Sequence, residues 1–428
     1  FFGTGIPASI ILINKQGAAD RKGIFFVDAK DGFVKDGNKN RLREQDIKRI
    51  VDTWNARHDV PHYAKFVPIS GENSIEANDY NLNIPRYIQP ADTEICQDID
   101  AHLHGGIPKH DVEQLSAYWT VCPSLRSALF DETAERITLR TDKATIANVI
   151  AADHSFIEQK NHFSRSIKAW CDNMRPLFRG LTTNIKPKAL IEEWAQSLLD
   201  IMKEDKSLVD AYDAYQQLLT YWHDTLQDDC YIISHDGWKP TLLRGTKKTA
   251  TYEDMVCDLL PVGIVLNEYF ADELEEIATI TAERDEVAAE LQAMIDVVLD
   301  ESAEDDEDEI KALTDEVKKT KEYKAKDKVR KAIDKRLKEK KAALTEAVAA
   351  KYAAFTEAEV IDLVVEKKWI ATITTMIQSE MQQVTQRLTA NIAAIVERYE
   401  QTLSVIDAEV SDLEAKVNSH LAKMGFSL

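Results

Sequence analysis

The first residues of the chain combine side chains of the kind that contact a ligand. Phe1, Phe2, Gly3, Thr4 and Gly5 stand directly before an apolar run. An aromatic ring can stack on a planar group, a glycine permits close approach of the backbone, and a hydroxyl can donate or accept a hydrogen bond. Turns at strand ends commonly carry the ligand contacts of α/β enzymes. An ordinary turn that enters a core strand explains the same residues, so both interpretations stay open.

The elements that follow would hold this turn in place. Residues 8–13 are rich in β-branched side chains and too few for a typical helix, which predicts a buried strand. A second apolar run, residues 24–27, comes after a short polar link, and the two runs together predict an antiparallel β-hairpin. A helix is expected next, because Ile47, Ile50 and Trp54 recur at helical spacing.

Composition limits the class of protein. The chain has 428 residues, enough for two or three domains, and a net charge of −21, which argues against uniform coating of nucleic acid but permits a local basic face. Its five cysteines are scattered, so neither a zinc site nor a disulfide framework is indicated. No signal peptide or membrane-length apolar run is recognised, and a cytoplasmic protein is expected. Because the chain lacks an initial Met and opens almost on a strand, we expect a further part to precede it.

Four motifs follow one another in the first part of the chain. They are Phe-Phe-Gly-Thr-Gly-Ile-Pro at 1–7, Phe-Val-Asp-Ala at 26–29, Asn-Arg-Leu at 40–42 and Asn-Asp-Tyr-Asn-Leu-Asn-Ile-Pro-Arg-Tyr at 78–87. In this order they resemble the modification subunit of type I restriction-modification systems, an N6-adenine DNA methyltransferase. Residues 397–426 are similar to the C-terminal helix of the longer members of that family.

The resemblance implies a reaction whose central motifs this chain lacks. Such enzymes bind S-adenosylmethionine on a glycine-rich loop and hold adenine with an Asn-Pro-Pro-Phe or Asn-Pro-Pro-Tyr tetrapeptide. No Asn-Pro-Pro occurs here, and the glycines at positions 3 and 5 precede a strand and are followed by Pro7, unlike a cofactor fingerprint. We therefore expect no catalytic or cofactor-binding residue in this chain, which should be inactive alone, while the complete protein would use S-adenosylmethionine. The implied partners are double-stranded DNA and the specificity and restriction subunits of the system, with no membrane.

The resemblance also assigns a role to the opening turn. Chemistry on a duplex adenine requires the base to swing out and be held between apolar faces. Phe2, Gly3 and Thr4 match the turn that lies beside the flipped base in this class, which predicts a target-base pocket. The alternative is that Phe1 and Phe2 are both core residues beneath the sheet. The amides of Asn81 and Asn83 could bond DNA or a partner, but capping of turns is the favoured interpretation.

Two clusters in the middle of the chain invite a chemical interpretation. His102, His104 and His110 lie near two aspartates, yet no fourth ligand spacing is evident, and a solvated helix-end cluster is favoured over a metal site. In residues 221–224, Tyr-Trp-His-Asp, the rings are expected to pack in the core with the polar pair outside.

The last third of the chain changes character. An apolar repeat of nearly seven residues runs over 270–298, residues 300–309 are acidic at eight of ten positions, and a later helix is expected from about 359 to 424. The later helix carries a second apolar seam at three- and four-residue spacing. Two apolar seams favour an antiparallel coiled coil that folds back on itself or docks on a partner. Residues 318–341 hold thirteen Lys or Arg against four Asp or Glu. This basic segment either contacts phosphates or is a solvated helix face. The candidate DNA backbone contacts are Lys318, Lys319, Lys321, Lys324, Lys328 and Arg330.

The predicted fold class is α+β, mostly α. Residues 1–90 would be the end of an α/β methyltransferase domain, a β-hairpin plus helix; residues 91–262 a helical domain of unknown role; and residues 263–428 a long antiparallel coiled-coil arm that docks on another subunit. Two other functions remain open. A structural coiled-coil adaptor explains the arm but not residues 1–90, and a stand-alone DNA-binding module would rest on residues 318–341.

Overall fold

The computed structural model describes residues 9–89, 97–133, 136–247, 249–301 and 307–425. Of the described residues, 69% are helical, which confirms the mostly-α assignment. Within the described ranges the strands are short and form three separate two-stranded antiparallel sheets. The chain divides into two compact units: residues 1–173, 189–224 and 373–428 form the first, and residues 174–188 and 225–372 form the second.

The helices are α1 (Glu44–Ala56), α2 (Ile99–His104), α3 (Lys109–Glu113), α4 (Ser116–Val121), α5 (Pro123–Leu129), α6 (Ile146–Ala152), α7 (His154–Arg179), α8 (Pro187–Asp205), α9 (Ala211–Tyr221), α10 (Gln227–Asp236), α11 (Val262–Tyr269), α12 (Ala271–Glu301), α13 (Glu307–Lys319), α14 (Lys321–Ala354), α15 (Glu357–Asp362), α16 (Ala371–Arg398) and α17 (Leu403–Lys423). The strands are β1 (Gly23–Val27), β2 (Val34–Asp36), β3 (Lys39–Arg41), β4 (Ala64–Pro68), β5 (Phe130–Glu132) and β6 (Ile137–Leu139). Two π-helical segments are Trp222–Leu226 and Leu363–Ile370.

The amino-terminal segment has a small core of its own. Strand β1 pairs with β4, and α1 lies between them in the chain. Beneath this pair the rings of Phe26 and Tyr87 stack with their centroids 4.7 Å apart. Val67, Ile75 and Ile88 complete the buried cluster. Apolar burial therefore ties the end of the segment, near Tyr87, to its first strand.

The predicted opening strand and hairpin are wrong in the described residues. Residues 9–13 form no strand and are exposed, with Ile10 at 89% and Ile13 at 85% of their full accessibility. Strand β1, which covers the second apolar run, pairs with β4 instead of with this segment. A β-branched run becomes a strand only where a neighbouring strand accepts its backbone hydrogen bonds, and the described chain offers residues 9–13 no such neighbour.

Helix α1 confirms the predicted helix, and its residues are unevenly buried. Ile47 remains 44% exposed, whereas Gln45 is buried. The Gln45 side chain donates to an Asp213 carboxylate oxygen at 2.7 Å, and its backbone N–H donates to Gln216 Oε1 at 3.1 Å. Ile50 and Trp54 are half-buried, and the Trp54 ring meets Phe25 of β1 with the centroids 6.5 Å apart. Helix α1 is therefore held by polar contacts with α9 and by partial burial of its apolar residues.

Three tryptophans anchor the helical core of the first unit. Trp170, on α7, is fully buried and donates its indole N–H to Ser197 Oγ on α8 at 2.9 Å. Trp194 and Trp222 meet edge to face, with ring centroids 6.2 Å apart. The donated hydrogen bond satisfies the only polar group of the Trp170 side chain, so this ring packs inside the unit without leaving an unpaired donor.

A buried carboxyl lies against the same core. Glu380, on α16, is 5% exposed and accepts hydrogen bonds from Gln217 Nε2 at 2.5 Å and Gln383 Nε2 at 3.1 Å. Burial raises the pKa of the Glu380 carboxyl; the bond from Gln217 opposes part of this shift, while the charge of Asp213 adds to it. Ionised Glu380 is therefore unfavourable in the folded chain.

Replacing Glu380 by glutamine is expected to raise the free energy of unfolding at neutral pH. A carboxyl whose pKa rises on folding contributes most stability below its unfolded pKa, and it loses that contribution as pH rises through its folded pKa. The neutral amide keeps an oxygen that can accept the Gln217 bond. Urea denaturation should show a higher free energy of unfolding for the variant than for the wild type at about pH 7, and this difference should shrink towards zero near pH 4. The exposed control Glu192→Gln should show no such trend, and a pH-independent effect at Glu380 would contradict the account.

The second unit contains two long helices that run antiparallel. Lys326 on α14 pairs with Glu290 on α12 at 2.8 Å, and Lys340 pairs with Glu276 at 2.6 Å, so the two helices advance in opposite directions. Both helices bury apolar side chains, among them Ile277, Ile280, Leu291, Leu337, Leu344 and Val348. The acidic run includes the end of α12 and the start of α13, and its residues 302–306 are outside the described ranges.

The second predicted seam does not run along one helix. The continuous helix expected over 359–424 is interrupted after Arg398 and resumes at Leu403. Thr402 has the extended backbone of a helix N-cap and accepts the N–H of Val405 on its carbonyl, which starts α17 afresh. The first part of the seam, on α16, is buried, whereas no residue of α17 is buried.

Candidate functional site

The predicted target-base residues, Phe2, Gly3 and Thr4, lie outside the described residues, and their role remains a proposal. Downstream of them, Asn78 and Asn81 serve the turn in which they lie. The Asn78 amide donates to the carbonyl of Ser74 at 3.0 Å, and Asn81 Oδ1 accepts the backbone N–H of Asn83 at 3.0 Å. The structural interpretation of Asn81 is confirmed, whereas that of the Asn83 side chain stays a prediction.

The histidine cluster resolves into local helix contacts. Asp98 caps α2 by accepting the Ala101 N–H at 3.0 Å, and His104 Nδ1 lies 2.8 Å from an Asp100 carboxylate oxygen one turn earlier. In the ranges that the structure describes, no three histidines, cysteines or carboxylates gather as a metal site. Cys122, Cys171, Cys230 and Cys257 are buried thiols.

The four-residue run Tyr-Trp-His-Asp packs as predicted. Tyr221 and Trp222 are buried, whereas His223 and Asp224 are exposed. The run therefore anchors a helix and offers no catalytic arrangement among its own side chains. No described helix combines the length and apolar character needed to cross a bilayer.

A buried ion pair, which sequence reasoning missed, lies in the second unit. Within the π-helical segment, Lys368 donates to an Asp229 carboxylate oxygen at 2.7 Å and to the carbonyls of Asp258 and Leu259 at 2.6 and 3.0 Å. The next residue, Trp369, donates its indole N–H to the other Asp229 oxygen at 2.8 Å. Both charged side chains are less than a tenth exposed. All these acceptors belong to the second unit itself. The pair of Asp229 and Lys368 therefore stabilises the packing of that unit and is not a ligand site.

The exposed side of α17 is a candidate docking surface. Leu403, Ile406, Val410, Leu413 and Val417 recur at alternating three- and four-residue spacing. Each is between 39% and 59% exposed, although all are aliphatic. A helix with a continuous apolar stripe and no buried side chain has the pattern of a helix that pairs with a second helix in a coiled coil.

The candidate phosphate contacts fall into two groups. Lys318, Lys319, Lys321, Lys324 and Lys328 are exposed near the junction of α13 and α14. Arg330, the sixth candidate, is partly buried and its guanidinium bonds Asp327 at 2.7 Å and Asp334 at 3.1 Å. The arginine therefore braces its own helix, whereas the lysines present free charge to solvent.

Comparisons with known proteins match the first part of the chain. The family model described as N-6 DNA Methylase matches residues 1–95. Residues 1–95 are related to N-6 DNA methylases. This finding confirms the resemblance drawn from the opening motifs, for about a fifth of the chain.

Curated relatives agree with this methylase match. The "Type I restriction enzyme MjaVIII methylase subunit" of Methanocaldococcus jannaschii is 32% identical over 104 residues, which are 23% of this chain and 17% of that relative. The MjaVII methylase subunit of the same organism is 33% identical over 104 residues, again 23% and 17%. The MpnII methylase subunit of Mycoplasma pneumoniae is 31% identical over 87 residues, 20% of this chain and 16% of that relative. The matched part thus spans about a sixth of each relative, and no solved structure matches the chain.

Proposed function

We propose that this chain is the C-terminal part of the DNA-methylating subunit of a type I restriction-modification system. The observation that carries the proposal is the N-6 DNA methylase match over residues 1–95, together with relatives named as type I methylase subunits. In the complete protein the adenine N6 amine would attack the sulfonium methyl of S-adenosylmethionine. The N6–methyl bond forms, the sulfur–methyl bond breaks to leave S-adenosylhomocysteine, and the amine loses a proton.

Within this chain, the proposed contribution to catalysis is the opening turn. The Phe2 ring would stack on the extruded adenine, Gly3 would permit close approach, and the Thr4 hydroxyl would bond the base. The chain holds neither an Asn-Pro-Pro motif nor a glycine-rich cofactor loop. We therefore assign cofactor binding and amine activation to residues outside it, and this chain alone would not transfer methyl groups.

Phe2→Ala in the complete protein should slow methyl transfer while leaving subunit assembly intact. A base stacked on an aromatic side chain is stabilised by about 1–3 kcal/mol, so a rate loss of about five- to 150-fold is expected. Radiolabelled methyl transfer to duplex DNA measures the rate, and size-exclusion chromatography measures assembly. Phe2→Tyr keeps the ring and is the matched control. Equal loss of transfer and assembly would show that Phe2 is only structural.

The proposed role of residues 263–428 is to assemble the system, with α12 and α14 in the second unit and α17 in the first. The antiparallel α12 and α14 would form a coiled coil, and the apolar face of α17 would receive a helix of the specificity subunit. Sequence recognition and cleavage would then reside in the specificity and restriction subunits. A purely structural adaptor accounts for these helices equally well, but it leaves the methylase match of residues 1–95 unexplained.

A further inference from the structure

One face of α14 carries a regular row of lysines. These six residues, the lysine stripe, are Lys321, Lys324, Lys328, Lys331, Lys335 and Lys338. Their spacing alternates between three and four residues, which places them on one side of a helix. All six are exposed. From the first to the last the stripe covers about 26 Å of helix, and a duplex of that length carries about 15 phosphate charges.

The stripe stands apart from the cations that hold the helix in place. Lys326, Arg336 and Lys340 project towards α12 and pair with carboxylates there, at 2.8, 3.6 and 2.6 Å. Among the described residues, no member of the stripe forms an ion pair with another element. Lys331 and Lys335 pair only with Asp327 and Glu339 of α14 itself. Packing therefore accounts for the first set of charges and leaves the lysine stripe unexplained, in a chain whose net charge is −21.

We propose that the lysine stripe binds the phosphate backbone of double-stranded DNA, independently of sequence. Lysine ammonium groups act as point charges, and such contacts position a protein on DNA without reading bases. Surfaces that bind single strands add stacking aromatic rings, but the one aromatic residue among 321–338, Tyr323, is partly buried. Protein-docking surfaces are depleted in lysine and enriched in aromatics. The inference rests on the proposed function, because that function supplies duplex DNA as the substrate.

Fluorescence anisotropy of a 30-base-pair duplex with the full 428-residue chain tests the stripe. The variant K321Q/K324Q/K328Q removes three charges that take part in no ion pair in the described structure. K160Q/K186Q/K188Q removes three exposed lysines elsewhere and is the matched control. The stripe variant should bind at least about tenfold more weakly at 50 mM salt, and the slope of log K against log salt should fall by about 3 in magnitude. The control variant should match the wild type.

Absence of duplex binding by the wild type at 50 mM salt would overturn the proposal, and so would equal weakening of duplex binding in the two triple variants. Stripe-dependent binding of poly-glutamate that is tighter than duplex binding would also overturn it, because the ligand would then be an acidic protein segment. Methyl transfer by the complete protein separates this proposal from the proposed function. Methyl transfer with stripe-independent DNA binding refutes the stripe alone. Stripe-dependent binding without any methyl transfer refutes the proposed function alone.

Discussion

Replacing Asp229 by alanine is expected to lower the free energy of unfolding by about 3–5 kcal/mol. The change removes the carboxylate that pairs with the buried Lys368 ammonium, and it removes the acceptor of the Trp369 indole N–H. Trp369 is fully buried against Phe178 and Trp238, with ring centroids 5.5 Å from each, so water cannot easily replace the lost partner. Urea denaturation followed by circular dichroism measures the loss.

The neighbouring residue provides a matched control for that experiment. Asp228 is exposed, and Asp228→Ala removes the same charge from the same helix, so a change within about 0.5 kcal/mol is expected. The double variant Asp229→Leu/Lys368→Met should recover much of the loss, because replacing both partners of a buried pair by apolar residues is often neutral. A loss below about 1 kcal/mol for Asp229→Ala would show that Lys368 finds another partner or solvent.

Two aspartates placed on the apolar face of α17 should abolish assembly with the specificity subunit. Leu413 and Val417 are 59% and 56% exposed, so Leu413→Asp/Val417→Asp costs the isolated chain little. In a helical pair the same change would bury two unpaired charges, and association should weaken by about a hundredfold or more. Co-purification of the two subunits and analytical ultracentrifugation measure the effect.

The opposite face of α17 offers a control with the same change of charge. Ala408→Asp/Ala415→Asp introduces two aspartates on exposed positions away from the stripe of Leu413 and Val417, and it should leave association unchanged. A variant that lacks α17 would test the same docking role, and its deletion should begin at Leu403, because an earlier start would also remove buried residues of α16 such as Ile392. Unimpaired assembly of the Leu413→Asp/Val417→Asp variant would refute the docking role of α17.

The sequence predicted the features that depend on neighbouring residues. The helices of the middle region and the burial of Tyr221 and Trp222 follow a local period of about 3.6 residues, which the chain shows directly. The opening strand was wrong because strand formation depends on a distant partner, and β1 takes β4, about forty residues away, as its partner.

The buried pair of Asp229 and Lys368 could not be predicted for a related reason. The two residues are far apart in the chain, and Lys368 enters the core from a π-helical segment, which departs from the regular helical period. Lys368 lies in the sequence Glu-Lys-Lys-Trp at 366–369, and a lysine with charged neighbours is ordinarily assigned to the solvated face of a helix. The start of a new helix after Thr402 had only a weak signal in the sequence, which is a threonine ahead of an apolar run.

Methyl transfer is the most direct test of the assignment to a DNA-methylating subunit. The complete protein, co-purified with the specificity subunit of its own source, would be incubated with duplex DNA and labelled S-adenosylmethionine, and the nucleosides would be separated by mass spectrometry. The account predicts labelled N6-methyladenine with both subunits present and none with this 428-residue chain in place of the complete protein. Absence of N6-methyladenine from the assembled complex, or label on cytosine instead, would contradict it.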